Sequence, residues 1–220
     1  MDALLPLLAK IAFWATPVLA AVILHELAHG YVAYRLGDPT AARLGRLTLN
    51  PIAHVDMFGT VLLPLMLIMS GSPFLFGYAK PVPVNFSNLR NPRRDMVYVA
   101  AAGPAMNFLL AVVSAFILQQ VQASQFPMHL SATQSPTDSL LVSMLQVSVF
   151  INVALAVFNL FPVPPLDGGR VATGLLPRGL ALPLARLEPY GMLIVVGLLM
   201  TGVLGDIVHP VTAFLVNVLL

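Results

Sequence analysis

The sequence predicts an all-α polytopic membrane protein, a bundle of about five or six transmembrane helices with a small re-entrant or β-strand element. Of its 220 residues, 58% are hydrophobic and only 9% are charged, whereas a soluble globular domain carries about 25% charged residues. Long apolar runs are spread from one end of the chain to the other. Because no polar stretch is long enough for an appended soluble domain, we expect residues 1–220 to form a single membrane-embedded domain.

Six apolar runs supply the predicted helices. They are Leu4–Tyr34, Met57–Phe76, Met96–Val121, Leu140–Phe161, Pro189–Leu204 and Ile207–Leu220. A spanning helix needs about 20 mainly apolar residues, so the first, third and fourth runs are long enough and the last two are short. Pro64 and the Gly71-Ser72-Pro73 stretch interrupt the second run.

Basic residues predict how these runs cross the membrane, because Lys and Arg in short loops mark the cytoplasmic side. They cluster around Arg43, Arg90 and Arg178, whereas the Gln122–Ser139 loop has none. The third and fourth runs therefore cross in opposite directions. Both flanks of the second run are basic, so we predict that Met57–Val84 is re-entrant, with a plain crossing as the alternative. These features indicate a multi-pass protein of the inner cell membrane.

Two short segments have the pattern of extended chain. Arg46–Asn50 alternates polar and apolar residues, and Lys80–Asn85 has prolines at alternate positions. Such prolines confine a segment to a sheet edge or an open strand. An exposed edge can hold a peptide in extended form by β-augmentation; a purely structural edge strand is the alternative.

The composition also limits the partners and cofactors. The chain has no cysteine, so any metal must be held by His, Asp or Glu side chains. The net charge is only +2, and the short basic clusters are typical of membrane topology rather than of nucleic-acid binding. We therefore expect the lipid bilayer as a partner and no nucleic acid.

One motif carries metal chemistry. His25-Glu26-Leu27-Ala28-His29 has the pattern H-E-x-x-H, which on a helix places both imidazoles on one face, where they can bind one Zn²⁺. Glu26 can then act as the general base for the attacking water. Buried His and Glu side chains are costly within an apolar run and mark function, although a polar cluster that packs helices together is the alternative. His25 lies ten residues before Arg35, about 15 Å below the cytoplasmic boundary, so the site is expected nearer the cytoplasmic side.

A third ligand is needed, because catalytic zinc usually has three protein ligands and one open position. One related motif class takes a further His six residues after the second, but Arg35 occupies that position. The remaining candidates are His54, Asp56, Asp95, Asp167 and Glu188. Asp167 follows a proline cluster that ends the fourth run and precedes two glycines that allow close backbone approach. It is either a ligand aimed back at the first helix or a solvated Asp in a helix-ending turn.

These motifs resemble those of the site-2 protease family, which pairs H-E-x-x-H with a distant L-D-G motif. The resemblance implies that His25, His29 and Asp167 bind one Zn²⁺ per chain and that Glu26 is the general base. Residues 103–107, Gly-Pro-Ala-Met-Asn, also resemble a family element, as does Asn159. The chain resembles a minimal form without a PDZ or CBS domain.

The resemblance implies a zinc-dependent intramembrane endopeptidase that cleaves transmembrane or membrane-proximal segments of substrate proteins, such as single-span helices. Asn107 and Asn159 either hydrogen-bond across helices or place a donor near the scissile carbonyl oxygen. The alternatives are a metal or ion transporter, although no repeated halves are evident, and a membrane scaffold with a structural metal. The sequence leaves the oligomeric state open.

Overall fold

The computed structural model describes residues 4–71, 77–125 and 136–220. This part of the chain is mostly helical. The α-helices are α1 (Leu4–Arg35), α2 (Thr40–Arg43), α3 (Leu63–Met69), α4 (Pro92–Gln125), α5 (Pro136–Asn159), α6 (Asp167–Leu175), α7 (Arg178–Arg186), α8 (Gly191–Met200) and α9 (Val203–Leu219). A π-helical stretch, Met57–Leu62, leads into α3, and three 3-10 turns cover Pro51–His54, Phe86–Asn88 and Glu188–Tyr190.

Within the described residues, four helical segments are long and apolar enough to cross a membrane. They are Ala15–Arg35, Pro92–Ala123, Leu140–Asn159 and Arg178–Met200, the last built from α7, a 3-10 turn and α8. Two shorter apolar helical segments are Met57–Met69 and Val203–Leu219. The predicted all-helical membrane architecture is confirmed. Residues 178–188 of this last segment, which include all of α7, lie outside the predicted fifth run, which begins at Pro189.

The centre of the bundle is α4, which packs against α1, α5 and α6. Ala111 and Ala115 of α4 meet Val149 and Val153 of α5 in a fully buried cluster, and α9 covers it with partly buried apolar side chains. Small residues let membrane helices approach closely, which matters because lipid supplies no hydrophobic drive between helices. Thus α4 holds α1 and α6 in place around one end of the bundle.

A buried carboxylate ties the end of α1 to the chain that precedes α4. Asp38 is fully buried, and its oxygens accept hydrogen bonds from Thr40, from the side chain of Asn88 and from the backbone N–H of Asn85. Burial raises the pKa of Asp38, but these hydrogen bonds outweigh burial and hold its pKa below the usual value. The ionised form of Asp38 is therefore the form that the fold stabilises.

Neither predicted extended segment forms a strand within the described residues. Residues 77–85, here called the return segment, are non-helical and bond back to chain that precedes α3. The N–H of Tyr78 donates to the Gly59 carbonyl at 3.0 Å, and that of Lys80 donates to the His54 carbonyl at 2.9 Å. Both acceptors lie in helical turns, so a ladder between two strands cannot form there.

Candidate metal centre

The two histidines of the H-E-x-x-H motif face the same point from one side of α1. Their Nε2 atoms are 3.0 Å apart, and both residues are buried, with 7% of His25 and 9% of His29 exposed. The spacing of four residues on a helix produces this arrangement directly, because positions i and i+4 lie one above the other.

Asp167 approaches the same point from the first residue of α6. Its Oδ2 atom lies 3.2 Å from the Nε2 atoms of both His25 and His29. Glycine at the next two positions permits the tight turn: a Cβ on Gly168 would collide with the Leu160 and Phe161 backbone, and one on Gly169 with the backbone of residues 163–164. The two glycines thus let α6 begin where its first carboxylate reaches α1.

The outer ring nitrogens of both histidines are occupied. The Nδ1–H of His29 donates to the Val99 carbonyl at 2.6 Å, and since a carbonyl can only accept, the hydrogen must be on Nδ1. His25 Nδ1 likewise donates to Asn107 Oδ1 at 2.6 Å. Each imidazole therefore turns the lone pair of Nε2 inward, and a hydrogen bond on the other ring nitrogen is what orients a histidine for a metal.

The residues present fit a zinc ion. Two nitrogen lone pairs and one carboxylate oxygen converge, with one ligand atom from each residue within 4.8 Å of the others. Among the described residues, buried Asp167 Oδ2 receives no hydrogen-bond donor. These atoms are all electron-pair donors with no hydrogen between them, so a cation is needed to stabilise them together. Two imidazoles with one carboxylate form a known set of zinc ligands. A Cβ on Gly103 of α4 would press against both Nε2 atoms, so the absence of a side chain there keeps this space open.

Glu26 points into a cleft beside this cluster. Its Oε2 accepts a 2.7 Å hydrogen bond from the backbone N–H of Val82 in the return segment. The cleft, about 470 Å³, is lined by Glu26 and the three cluster residues, by the return segment, and by Arg170 and Met192. A second cavity of about 190 Å³ adjoins His25 and Glu26 and has mainly apolar walls, formed in part by Val22, Leu155, Phe158 and Val195.

The other four candidates for a third ligand have structural partners elsewhere. His54 bonds through Nε2 to a backbone carbonyl, at Thr48. Asp56 and Asp95 accept from backbone N–H groups at the starts of helical segments, and Glu188 pairs with Arg170 at 2.8 Å. Of the five candidates, only the aspartate of α6 reaches the two histidines.

Asn107 lies in the cluster's outer shell and not at the cleft. It is fully buried, and besides accepting from His25 its Nδ2 donates to the Ala21 carbonyl at 3.2 Å and to Asn152 Oδ1 at 2.9 Å. Both amide hydrogens are therefore used, which leaves none for a substrate oxyanion. Asn107 thus hydrogen-bonds across helices, which is one of the two roles that the sequence offered for it. Its contact with His25 and the part played by Asn152 were not predicted, because His25 and Asn107 lie 82 positions apart and only helix packing brings them together.

Asn159 lies beside the cleft. It ends α5, its Nδ2 donates to the Leu155 carbonyl at 3.0 Å, and its side chain lines both cavities beside His25 and Glu26. An amide nitrogen carries two hydrogens, so one donor remains to serve a group in the cleft.

Comparison with known sequences supplies the family. Residues 13–202, most of the chain, match Peptidase family M50. The chain belongs to this family. It is 37% identical to YwhC of Bacillus subtilis over 203 residues, which cover 92% of this chain and 87% of YwhC. It is 32% identical to Rip2 of Mycolicibacterium smegmatis over 84% of this chain and 66% of Rip2. No solved structure matches the chain significantly.

The names of both relatives describe zinc metalloproteases. The same holds for MJ0392 of Methanocaldococcus jannaschii, 22% identical over 76% of this chain and 36% of that protein. The chain is thus a metalloendopeptidase of the site-2 protease type and an integral membrane protein, and the family resemblance seen in the motifs is confirmed. The family implies zinc, and the three convergent side chains are its potential ligands.

Proposed function

We propose that this chain hydrolyses peptide bonds within or beside the transmembrane segments of other membrane proteins. His25, His29 and Asp167 hold one zinc ion per chain, and Glu26 is the general base. The observation that carries the proposal is the convergence of three ligand atoms within 4.8 Å beside the Glu26 carboxylate, on a helix long and apolar enough to cross the membrane.

In this mechanism zinc, when bound, supplies a Lewis acid that polarises the scissile carbonyl and acidifies water. Glu26 takes a proton from the attacking water as the water oxygen bonds to the carbonyl carbon, and it delivers a proton to the leaving amine as the C–N bond breaks. Asn107 and Val99 hold the imidazoles through their Nδ1–H groups. The remaining amide hydrogen of Asn159 is the candidate donor to the developing oxyanion.

Residues 57–84 are proposed to enter and leave the membrane on the same side. The helical part, Met57–Met69, is a short apolar segment, well below the roughly 20 residues that a crossing needs. The hydrogen bonds from Tyr78 to Gly59 and from Lys80 to His54 bring the chain after α3 back beside the chain that precedes it, which supports this course. With α9 as a further crossing, the four long segments become five crossings, and the re-entrant element is a sixth segment within the membrane.

The substrate is proposed to be a membrane protein with a single-span helix, drawn from the inner cell membrane into the cleft from the cytoplasmic side. A helix hides its peptide bonds, so the substrate must unwind first. The return segment forms one wall of the cleft, where it can hold an unwound substrate extended by main-chain hydrogen bonds. The apolar cavity next to Glu26 has room for a side chain of such a substrate.

The test compares the native protein with Glu26→Gln on a single-span substrate reconstituted in liposomes. The variant removes the base but none of the three ligands, so it should keep its zinc and lose activity by roughly 10²–10⁴-fold. Cleavage at the native rate by Glu26→Gln would contradict the mechanism. Zinc flux across the liposome membrane, without cleavage by the native protein, would show a transporter instead.

A further inference from the structure

The return segment does more than form a wall of the cleft, because its backbone contacts Glu26 directly. Three of its N–H groups at alternate residues bond to elements behind it: Tyr78 to the Gly59 carbonyl, Lys80 to the His54 carbonyl, and Val82 to Glu26 Oε2. At the first two the acceptor is a neutral backbone carbonyl. At the third, the acceptor is the carboxylate that the proposed function makes the general base.

The acceptor and the surroundings of this hydrogen bond both strengthen it. The N–H of Val82 donates to Glu26 Oε2 at 2.7 Å, and a hydrogen bond to a carboxylate is about twice as strong as one to a neutral carbonyl. Val82 is buried, with 6% of it exposed. Little water can therefore compete for the carboxylate oxygen on that side.

The neighbouring residues hold the N–H of Val82 in place. A Cβ on Gly30, one turn beyond Glu26 on α1, would collide with Val82 Cγ1 at 2.7 Å and Leu47 Cδ2 at 2.6 Å, so glycine is what lets the segment lie against α1. Arg46 Nη2 donates to the Lys80 carbonyl at 3.0 Å. On the other side, Asp38 accepts from the N–H of Asn85 at 2.7 Å.

We propose that the backbone N–H of Val82 positions the Glu26 carboxylate for proton transfer. The bond fixes Oε2, which leaves the other carboxylate oxygen to take the proton. Since the same segment lines the cleft, a substrate that binds against it also sets the placement of the base. The proposal rests on the proposed role of Glu26, and it makes Val82 a positioning residue that acts through its backbone.

Val82→Pro tests this because it deletes the N–H at a position where the flanking residues, Pro81 and Pro83, already impose an extended chain. The matched control is Lys80→Pro, which deletes a neighbouring N–H whose acceptor is the His54 carbonyl. We expect Val82→Pro to lower kcat about 10- to 100-fold, the scale of a small misplacement of a reacting group, with zinc content and KM retained. Lys80→Pro should act mainly on KM.

Equal losses of kcat in both variants, or an unchanged kcat in Val82→Pro, would overturn the proposal. If the native protein cleaves nothing, the proposed function fails instead.

A second measurement does not need Val82→Pro to fold. In zinc-loaded protein labelled with ¹⁵N-valine, the Val82 amide is assigned by its loss in Val82→Ile, and its hydrogen exchange is compared between native protein and Glu26→Ala. Exchange at least about tenfold faster in Glu26→Ala is expected; unchanged exchange would contradict the contact.

Discussion

At the scale of single residues, each inward-facing imidazole is held by a hydrogen bond on its outward-facing nitrogen. For His25 the partner is a side chain, Asn107, itself fixed by Asn152 through a 2.9 Å bond. The amide cannot turn over without placing its NH₂ group against the His25 Nδ1–H. The Asn152 contact therefore selects the orientation in which His25 keeps its Nε2 lone pair for a metal.

Asn107→Leu should weaken zinc binding about 10- to 100-fold, the usual effect of losing an outer-shell partner of a metal ligand. Asn107→Asp keeps an acceptor for the His25 Nδ1–H and should stay closer to the native affinity. Zinc affinity is measured by competition with a chromophoric chelator. Native affinity in Asn107→Leu would show that the contact is irrelevant to the metal.

Gly103→Ala should abolish zinc binding, because the added methyl group would lie against the Nε2 atoms of both histidines. The matched control is Gly197→Ala on α8, where a Cβ meets no other atom within 4 Å among the described residues. Alanine favours helix over glycine by about 1 kcal/mol, so neither variant should unfold for lack of helix propensity. Stoichiometric zinc in purified Gly103→Ala would refute the claim that Gly103 keeps open the space that the metal occupies.

The sequence predicted the His25–Glu26–His29 geometry because spacing on one helix fixes it. Spacing alone could not select Asp167 as the third ligand. That choice depends on a tight turn, in which Gly168 and Gly169 lie directly against the backbone of residues 160–164. The partners Asn107 and Val99 lie 82 and 70 residues from the histidines they hold. Such contacts follow from helix packing, which no local pattern encodes.

At the scale of elements, the long helices begin and end within a few residues of the apolar runs that predicted them. The extended segments predicted at Arg46–Asn50 and Lys80–Asn85 form no β-strand within the described residues. The backbone acceptors of Tyr78 and Lys80 lie in helical turns, so the return segment has no strand to pair with there. What fixes the return segment instead is a set of individual contacts, with Glu26 and Asp38 among the acceptors.

The Asp38 contacts predict how stability depends on pH. Because the folded-state pKa of Asp38 lies below its usual value of 3.8, its contribution is fully present above that value and is lost as the pH falls through the folded-state pKa. Asp38→Asn should lower the unfolding free energy at pH 7 by about 1–3 kcal/mol, and the difference from native protein should shrink below about pH 4.

Thermal unfolding in detergent between pH 3 and pH 7 measures this difference. The control is Asp206→Asn, at an exposed aspartate on α9, which should unfold like the native protein across the range. A difference between native protein and Asp38→Asn that grows as the pH falls would contradict the sign of the effect.

At the scale of the whole molecule, the candidate zinc site joins helices that are distant in sequence. α1 supplies two ligands and α6 supplies the third. α4 supplies Gly103, which leaves space beside the ligands, and the groups that bond to the Nδ1 atoms of both histidines. The hydrogen bonds from Tyr78 to Gly59 and from Lys80 to His54 bring the chain after α3 back beside the chain that precedes it. This arrangement predicts that the loops before and after residues 57–84 share one side of the membrane.

Single-cysteine labelling tests that topology cleanly, since the chain has no cysteine of its own. Leu44→Cys and Ser87→Cys place thiols at exposed positions on either flank of the proposed re-entrant element. Both should react with a membrane-impermeant maleimide only when the cytoplasmic side is accessible. Labelling of the two positions from opposite sides would show that the segment crosses the membrane fully.

The most direct test of the central claim is the zinc content of Asp167→Ala, measured by mass spectrometry after purification and dialysis. Asp56→Ala is the control, because Asp56 caps a helical segment and not the cluster. The account predicts about one zinc ion per chain in native protein and in Asp56→Ala, and a large loss in Asp167→Ala. Full zinc occupancy in Asp167→Ala would contradict the claim that these three side chains hold the metal.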